Sequence, residues 1–137
     1  MSVGSQEHSF VQFDLSPLPP GATITAATIT LCRTNGSGGA RTHELRSVTS
    51  TWTETGLIWN NQPTFASSAG ATLAVPSSAG CASADVRTDV QAWMLAAPNF
   101  GWRITDLVEA TAPLVDWATR ENSTTGDRPT LSVTYTP

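Results

Sequence analysis

Hydrophobic and polar positions alternate with a period of two along most of this chain, and clusters of glycine, proline and asparagine interrupt the alternation. In residues 8–15, HSFVQFDL, Val11, Phe13 and Leu15 share one face while Phe10, Gln12 and Asp14 share the other, which predicts a strand. The following SPLPPG carries three prolines and a glycine, cannot donate to a ladder, and marks a turn. Residues 22–34 are β-branched almost throughout, with Ala27, Ile29 and Leu31 in phase toward a core, and predict a long second strand. NGSGG at 35–39 closes that strand and residues 41–48 resume as another, so the two are expected to form a hairpin. A short strand is expected at 55–59. Beyond Pro63 the chain is rich in Ala, Ser and Gly through residue 80, with only 71–75 extended, and reads as an ordered surface excursion because apolar residues still recur in it. Residues 82–86 are a further strand.

The period changes at 88–95. Val90, Trp93 and Met94 are spaced as on one side of a helix, Thr88 and Gln91 form a capping-box pattern, and Pro98 stops the helix. Alternation returns at 101–107 with Trp102 and Ile104, and segments 114–119 and 130–136 supply the last two strands around the polar loop ENSTTGDRP. About eight or nine strands with one short helix is the profile of an all-β protein, a jelly-roll-like two-sheet β-sandwich folded as a single domain over residues 1–137.

Composition supports that class and narrows the function. Only 13% of residues are charged, whereas a helical bundle would draw more heavily on Glu, Lys and Leu. All seven basic residues are arginines, the net charge is −4, and no basic run occurs. The clustered positive charge that a nucleic-acid groove or an anionic membrane surface requires is therefore missing. No apolar stretch approaches the length of a membrane span, and the opening MSVGSQEHSF lacks the basic start and hydrophobic run of a secretion signal. Cys32 and Cys81 are the only thiols; a disulfide between them and two free, buried cysteines both fit.

The densest chemical signal is residues 50–63, STWTETGLIWNNQP, which gathers Trp52, Glu54, Trp59, Asn60, Asn61 and Pro63. Aromatic faces stack on pyranose rings while amides and carboxylates bond hydroxyls, so this is one candidate for a sugar platform. The alternative is a corner of the core, with both tryptophans buried and the amides and proline shaping the turn. The second reading predicts high burial at Trp52 and Trp59, with Glu54, Trp93 and Glu121 in structural roles.

Catalysis finds little support. There is no nucleophile-elbow pattern and no histidine pair around a glutamate, and only His8 and His43 are present to act as bases. Carboxylate pairs such as Asp106 with Glu109, or Asp116 with Glu121, occur by chance among eleven acidic residues. Calcium needs several oxygen ligands, and nothing in the sequence brings Asp14, Asp85 and Glu121 together, so no metal and no cofactor is expected. Asn35 and Asn122 lie in glycosylation sequons, which matter only in a eukaryotic secretory pathway.

Six segments, in order, resemble the DNRLRE-type domain family: VQFDLSPLPPGATITAATITL, VTSTWTETGLIWNNQP, the Asp85–Val86 pair leading to VQAWM, PNFGWRI, ATRENS, and RPTLSVTYT. That family is a β-sandwich of bacterial surface proteins, polysaccharide-degrading enzymes and some bacteriophage tail proteins. The resemblance implies a non-catalytic, jelly-roll-like domain, and some members are carbohydrate-binding modules for acidic polysaccharides. Two departures stand out. Family members usually begin with a further strand before the segment matching residues 2–5, and without it a sheet edge is expected to lie open for a neighbouring subunit. The absence of lysine weakens the carry-over of any site that grips polyanionic sugars.

The expected glycan contacts are Trp52, Trp59, Asn60, Asn61, Trp102 and Arg120. Arg120 and Glu121 match the family's RE motif; an ion pair, or a bond from Glu121 to the backbone of the 59–63 turn, is the first reading, and a sugar or calcium contact the second. Three functions follow: a virion-exposed bacteriophage protein (capsid decoration or tail component) with glycan-binding capacity, a carbohydrate-binding module of a secreted polysaccharide-degrading enzyme or adhesin, and a small hydrolase. The expected partners are protein subunits of a larger assembly or homo-oligomer and polysaccharide, with no nucleic acid and no membrane insertion. The expected location is the virion surface or the extracellular space.

Overall fold

The protein is described by a computed structural model covering residues 1–5, 7–37 and 39–137; Gly38 of the expected NGSGG loop lies outside the described residues. Among the described residues nine strands form two antiparallel sheets. The larger is built on β3 (Thr23–Gly36), flanked by β6 (Gly80–Asp85), β8 (Val115–Trp117) and β9 (Thr130–Thr136), with β1 (Ser2–Val3) on β8. The smaller runs β2 (Ser9–Val11), β7 (Trp102–Asp106), β4 (Arg41–Ser47), β5 (Ala71–Val75). The sheets pack face to face, as expected for a β-sandwich.

The expected phase of the alternation decides what is buried. Ala27, Ile29 and Leu31 of β3 meet Leu45 of β4, Leu73 of β5 and Trp102 and Ile104 of β7 in one core cluster, and Val11, Phe13 and Leu15 pack against its side. A polar bond crosses this core: the Trp117 indole N–H donates to His43 Nδ1 at 3.1 Å, joining β8 of one sheet to β4 of the other. Both side chains are fully buried.

The expected hairpin is not formed. β3 and β4 belong to opposite sheets, because β3 continues through a bulge at Arg33/Asn35 to pair with β8, and the glycine-rich connection then crosses the sandwich. Gly36 sits at φ +127 against the Leu114 carbonyl, where a Cβ would come within 2.3 Å, so the crossing needs glycine at this point. The strand expected at 55–59 is also absent: the chain turns and then forms a 3-10 turn at Trp59–Asn61. Side chains compete with a ladder here, as Asn61 accepts from the Ile58 N–H and donates to the Gly56 carbonyl.

The short helix α1 (Arg87–Leu95) closes one end of the sandwich. The expected capping box does not form, because Gln91 is used elsewhere: its amide accepts from Ile24 N–H and donates to the Ala22 carbonyl, extending the hydrogen bonding of β3. Asp85 serves the helix start instead, accepting from Arg87 N–H. Trp93 packs against the core, with its ring 4.6 Å from that of Trp102. Cys32 and Cys81 stand opposite each other on β3 and β6 and are joined by a disulfide.

Candidate functional site

The segment 49–65 leaves the end of β4 and lies across the outer face of the smaller sheet. Its ends are clasped by the Thr49–Thr64 bonds and by the Ala66 N–H donating to the Ser47 carbonyl, on either side of the Val48–Phe65 bridge, so the loop between them is a compact excursion with a closed base. Three aromatic rings from this excursion settle on three neighbours below. Trp52 lies 5.6 Å from Phe10, Trp59 lies 4.7 Å from His8, and Phe65 lies beneath the Arg103 guanidinium at 3.4 Å. Phe10 and Arg103 are register partners on β2 and β7, so the sheet fixes the spacing of the aromatic row.

Between this excursion and β2 runs a cleft of about 1290 Å3. Its floor follows residues 7–16, one wall is Trp52, Glu54, Leu57, Ile58, Trp59 and Gln62, and the other is Asn99, Thr119, Arg120 and Pro129. That volume exceeds the roughly 300–1,000 Å3 of a pocket for one small ligand, and suits an extended one. The floor strand is held at both ends. Gln12 donates to the Asn99 carbonyl and Asn99 to the Phe13 carbonyl, while Gly101, at φ +78, lets β7 pass where a Cβ would stand 2.2 Å from the Val11 carbonyl.

His8 is the best-anchored polar group of the cleft. Its Nδ1 meets Gln62 Oε1 at 2.6 Å, its Nε2 meets Glu109 Oε1, and its ring supports Trp59 from below. Trp59 keeps 53% of its surface exposed, so the face away from His8 is open to solvent. Trp52 is half-buried and fixed by a 2.7 Å bond from its indole N–H to the Phe100 carbonyl. Arg120 and Glu54 face each other at 3.2 Å, and Arg120 also meets Glu121 at 2.8 Å.

The core-corner reading of residues 50–63 is therefore overturned for Trp59 and Glu54, both well exposed, and holds in part for Trp52. Of the six expected glycan contacts, Trp52, Trp59 and Arg120 line the cleft together. Trp102 does not: it is fully buried, donating its indole N–H to Asp89, and has no surface to offer a ligand. Asn61 spends its amide on the backbone of its own turn, and Asn60, though exposed, lies outside the cleft lining. Glu121 pairs with Arg120, while the side-chain bonds that shape the turn before Gln62 come from Asn61. Sequence reasoning missed the cleft roles of His8, Gln62 and Asn99. His8 had a usable signal, since it shares the outward face of its strand with Phe10.

One other polar cluster serves the fold. Arg41 grips Asp106 through two bonds, and His43 Nε2 stands 3.4 Å from the same carboxylate. Burial pushes the Asp106 carboxyl upward, but the Arg41 bond, the Val108 N–H and the nearby positive charges outweigh it and hold it below the usual range. Burial also drives His43 down, from 6.5 to about 4, against the pull of Asp106, so the ring is neutral and free to accept the Trp117 N–H. The grouping of Cys32, Cys81 and Asp127 within metal-ligand distance is not a metal site, because both sulfurs are spent in the disulfide.

The model of carbohydrate-binding module family 96 matches residues 1–135. No curated protein matches the chain.

Proposed function

The chain belongs to carbohydrate-binding module family 96, and on that premise we propose that the cleft along β2 holds a polysaccharide, with Trp59 and Trp52 as its stacking surfaces. One observation carries the assignment to this cleft: Trp59 is a large aromatic left open to solvent while a half-buried histidine, bonded at both ring nitrogens, stands against its ring. A ring fixed in advance loses little freedom when a sugar stacks on it. Glu54, Arg120 and Gln62 supply hydrogen-bonding groups for hydroxyls beside the rings. Carbohydrate-binding modules act by binding, which supports a protein that attaches to glycan without cleaving it.

The same reading extends to location. The Cys32–Cys81 disulfide favours an oxidising environment, and a module of a secreted polysaccharide-degrading enzyme or adhesin fits both the disulfide and the family. A second reading, a virion-exposed bacteriophage protein of the capsid or tail, has the open edge of β1 in its favour: among the described residues β1 pairs only with β8, and a neighbouring subunit can pair with such an edge. A solution mass above that of one chain would support that second reading, and a monomer would count against it.

Electrophoresis through gels containing dissolved polysaccharides tests the glycan assignment. The protein is expected to be retarded by at least one polymer, and Trp59→Ala to migrate as in a plain gel. Equal retardation of the two would remove Trp59 from the site.

A further inference from the structure

We propose that reduction of the Cys32–Cys81 bridge turns it into a binding site for a thiophilic divalent cation such as zinc, with the two thiolates and the Asp127 carboxylate as ligands. In the bridged form both sulfurs are spent, yet one ligand atom from each of the three residues already lies within 4.8 Å of the other two. Cys32 and Cys81 are register partners on β3 and β6, with Cα atoms 3.9 Å apart. Leu31 points into the core, so its neighbour Cys32 leaves the outer face of the sheet, beside Cys81. Side chains that leave opposed strands in parallel stand about as far apart as their Cα atoms, and two thiolates on one tetrahedral zinc, each at about 2.3 Å, stand roughly 3.8 Å apart. The strands therefore present the sulfurs at metal spacing once the bond between them is gone. Asp127 is brought over them by the chain between β8 and β9. That segment starts from the Ala118 N–H donating to the Cys32 carbonyl at 2.8 Å and ends where Thr130 pairs with Thr30. Within it, Asp127 closes the 3-10 turn Thr125–Asp127, and Arg128 Nε donates to the Asn122 carbonyl at 2.8 Å. Among the described residues no hydrogen bond or ion pair engages the Asp127 carboxylate, so a cation displaces nothing there. Cys81 is exposed, which admits both the reductant and the ion. Thiolate sulfur favours zinc over calcium or magnesium, and three protein ligands leave a fourth position for water. In the redox step a dithiol gives up both its S–H protons and forms its own disulfide, while the Cys32–Cys81 bond breaks and each sulfur takes up a proton. The cation then replaces both protons, which pass to solvent. None of the three residues lines the cleft, so this site stands apart from the proposed glycan site.

Cobalt(II) is the probe, added to the intact protein held reduced by an alkyl phosphine, which takes oxygen from water as the bridge gains its electrons and protons. The reduced protein is expected to bind one ion per chain, with sulfur-to-cobalt charge-transfer absorption and the intense visible bands of a tetrahedral site, and zinc is expected to bleach both. The bridged protein should give neither. Zinc should also raise the melting temperature of the reduced protein and leave that of the bridged one unchanged, because only the reduced fold binds it. Should reduction unfold the chain, zinc is expected to restore the far-ultraviolet spectrum of the sandwich. Asp127→Asn keeps the bridge and the fold, and its reduced form is expected to bind cobalt about tenfold or more weakly. Absence of the sulfur-to-cobalt band from the reduced protein, or no effect of zinc on its folding, would overturn the site. Equal affinity in Asp127→Asn would overturn it as well, by showing that the sulfurs capture metal without the third ligand the fold supplies.

Discussion

Acid should unfold this protein through one histidine. His43 is fully buried between the sheets, and burial lowers it from 6.5 to about 4. The folded form therefore resists protonation while the unfolded chain accepts it readily. Stability from this source is complete above pH 6.5 and is lost as the pH falls toward 4, because in that window the unfolded state binds more protons. The full difference is worth on the order of 3 kcal/mol, of which roughly 2.5 kcal/mol is gone by about pH 4.5. No discount for solvent applies, since the ring has no exposed surface. Asp106 is held below the usual carboxylate range, so its own loss begins at lower pH and adds little within this window. Urea unfolding followed by tryptophan fluorescence, at pH 7 and at about pH 4.5, measures the effect. His43→Asn supplies the control: it is less stable at pH 7 but lacks the titrating ring, and every other ionisable group is common to both proteins. The unaltered protein should lose roughly 2.5 kcal/mol more than the variant across that interval. Equal losses would refute the assignment of acid sensitivity to His43.

Three further predictions address the frame around the cleft. Gly101→Ala places a Cβ 2.2 Å from the Val11 carbonyl at a backbone φ of +78, and should destabilise the fold by about 2–4 kcal/mol in a denaturant melt while spoiling glycan retention. Reducing the Cys32–Cys81 bond, or changing both residues to serine, opens a closure 49 residues apart in sequence and should cost about 2–4 kcal/mol, seen as a lower melting temperature with the same far-ultraviolet spectrum. Arg120→Gln removes two exposed ion pairs and should leave the melting temperature unchanged, because exposed pairs contribute little; a clear fall would show that the pairs hold the fold.

The sandwich was legible because burial in sheets follows a two-residue period, and the phases of Ala27, Ile29, Leu31, Val11 and Ile104 all proved to face the core. Connectivity between sheets was less so. A strand followed by glycines and another strand resembles a hairpin, and the bulge that carries β3 onto β8 depends on a partner more than eighty residues away, beyond any local signal. The helix was found from its apolar spacing, yet its expected capping residue Gln91 bonds the start of β3, on the edge that β6 does not reach. At the candidate site, the sequence reading grouped Trp52, Trp59 and Arg120 with Asn60, Asn61 and Trp102, without separating open rings from buried ones. Trp59 and Trp102 are the same residue type, each with an apolar residue within the two positions before it and a polar one directly after it. Only the fold separates them, by standing one on His8 at the rim and the other between Trp93 and Asp89 in the core. His8, Gln62 and Glu109 come from three distant segments and meet only through the sheet.

The chain's five tryptophans provide the most direct test of the central claim, because each indole N–H gives its own signal in a nitrogen–proton correlation spectrum. A polysaccharide that retards the protein in a gel, supplied as its oligosaccharide, should shift the Trp59 and Trp52 indole signals progressively to saturation. The Trp102 and Trp117 signals, whose N–H groups are bonded to Asp89 and His43 inside the fold, should stay in place. Saturable binding that leaves Trp59 and Trp52 unmoved would contradict the account, and would put the glycan on another face of the sandwich.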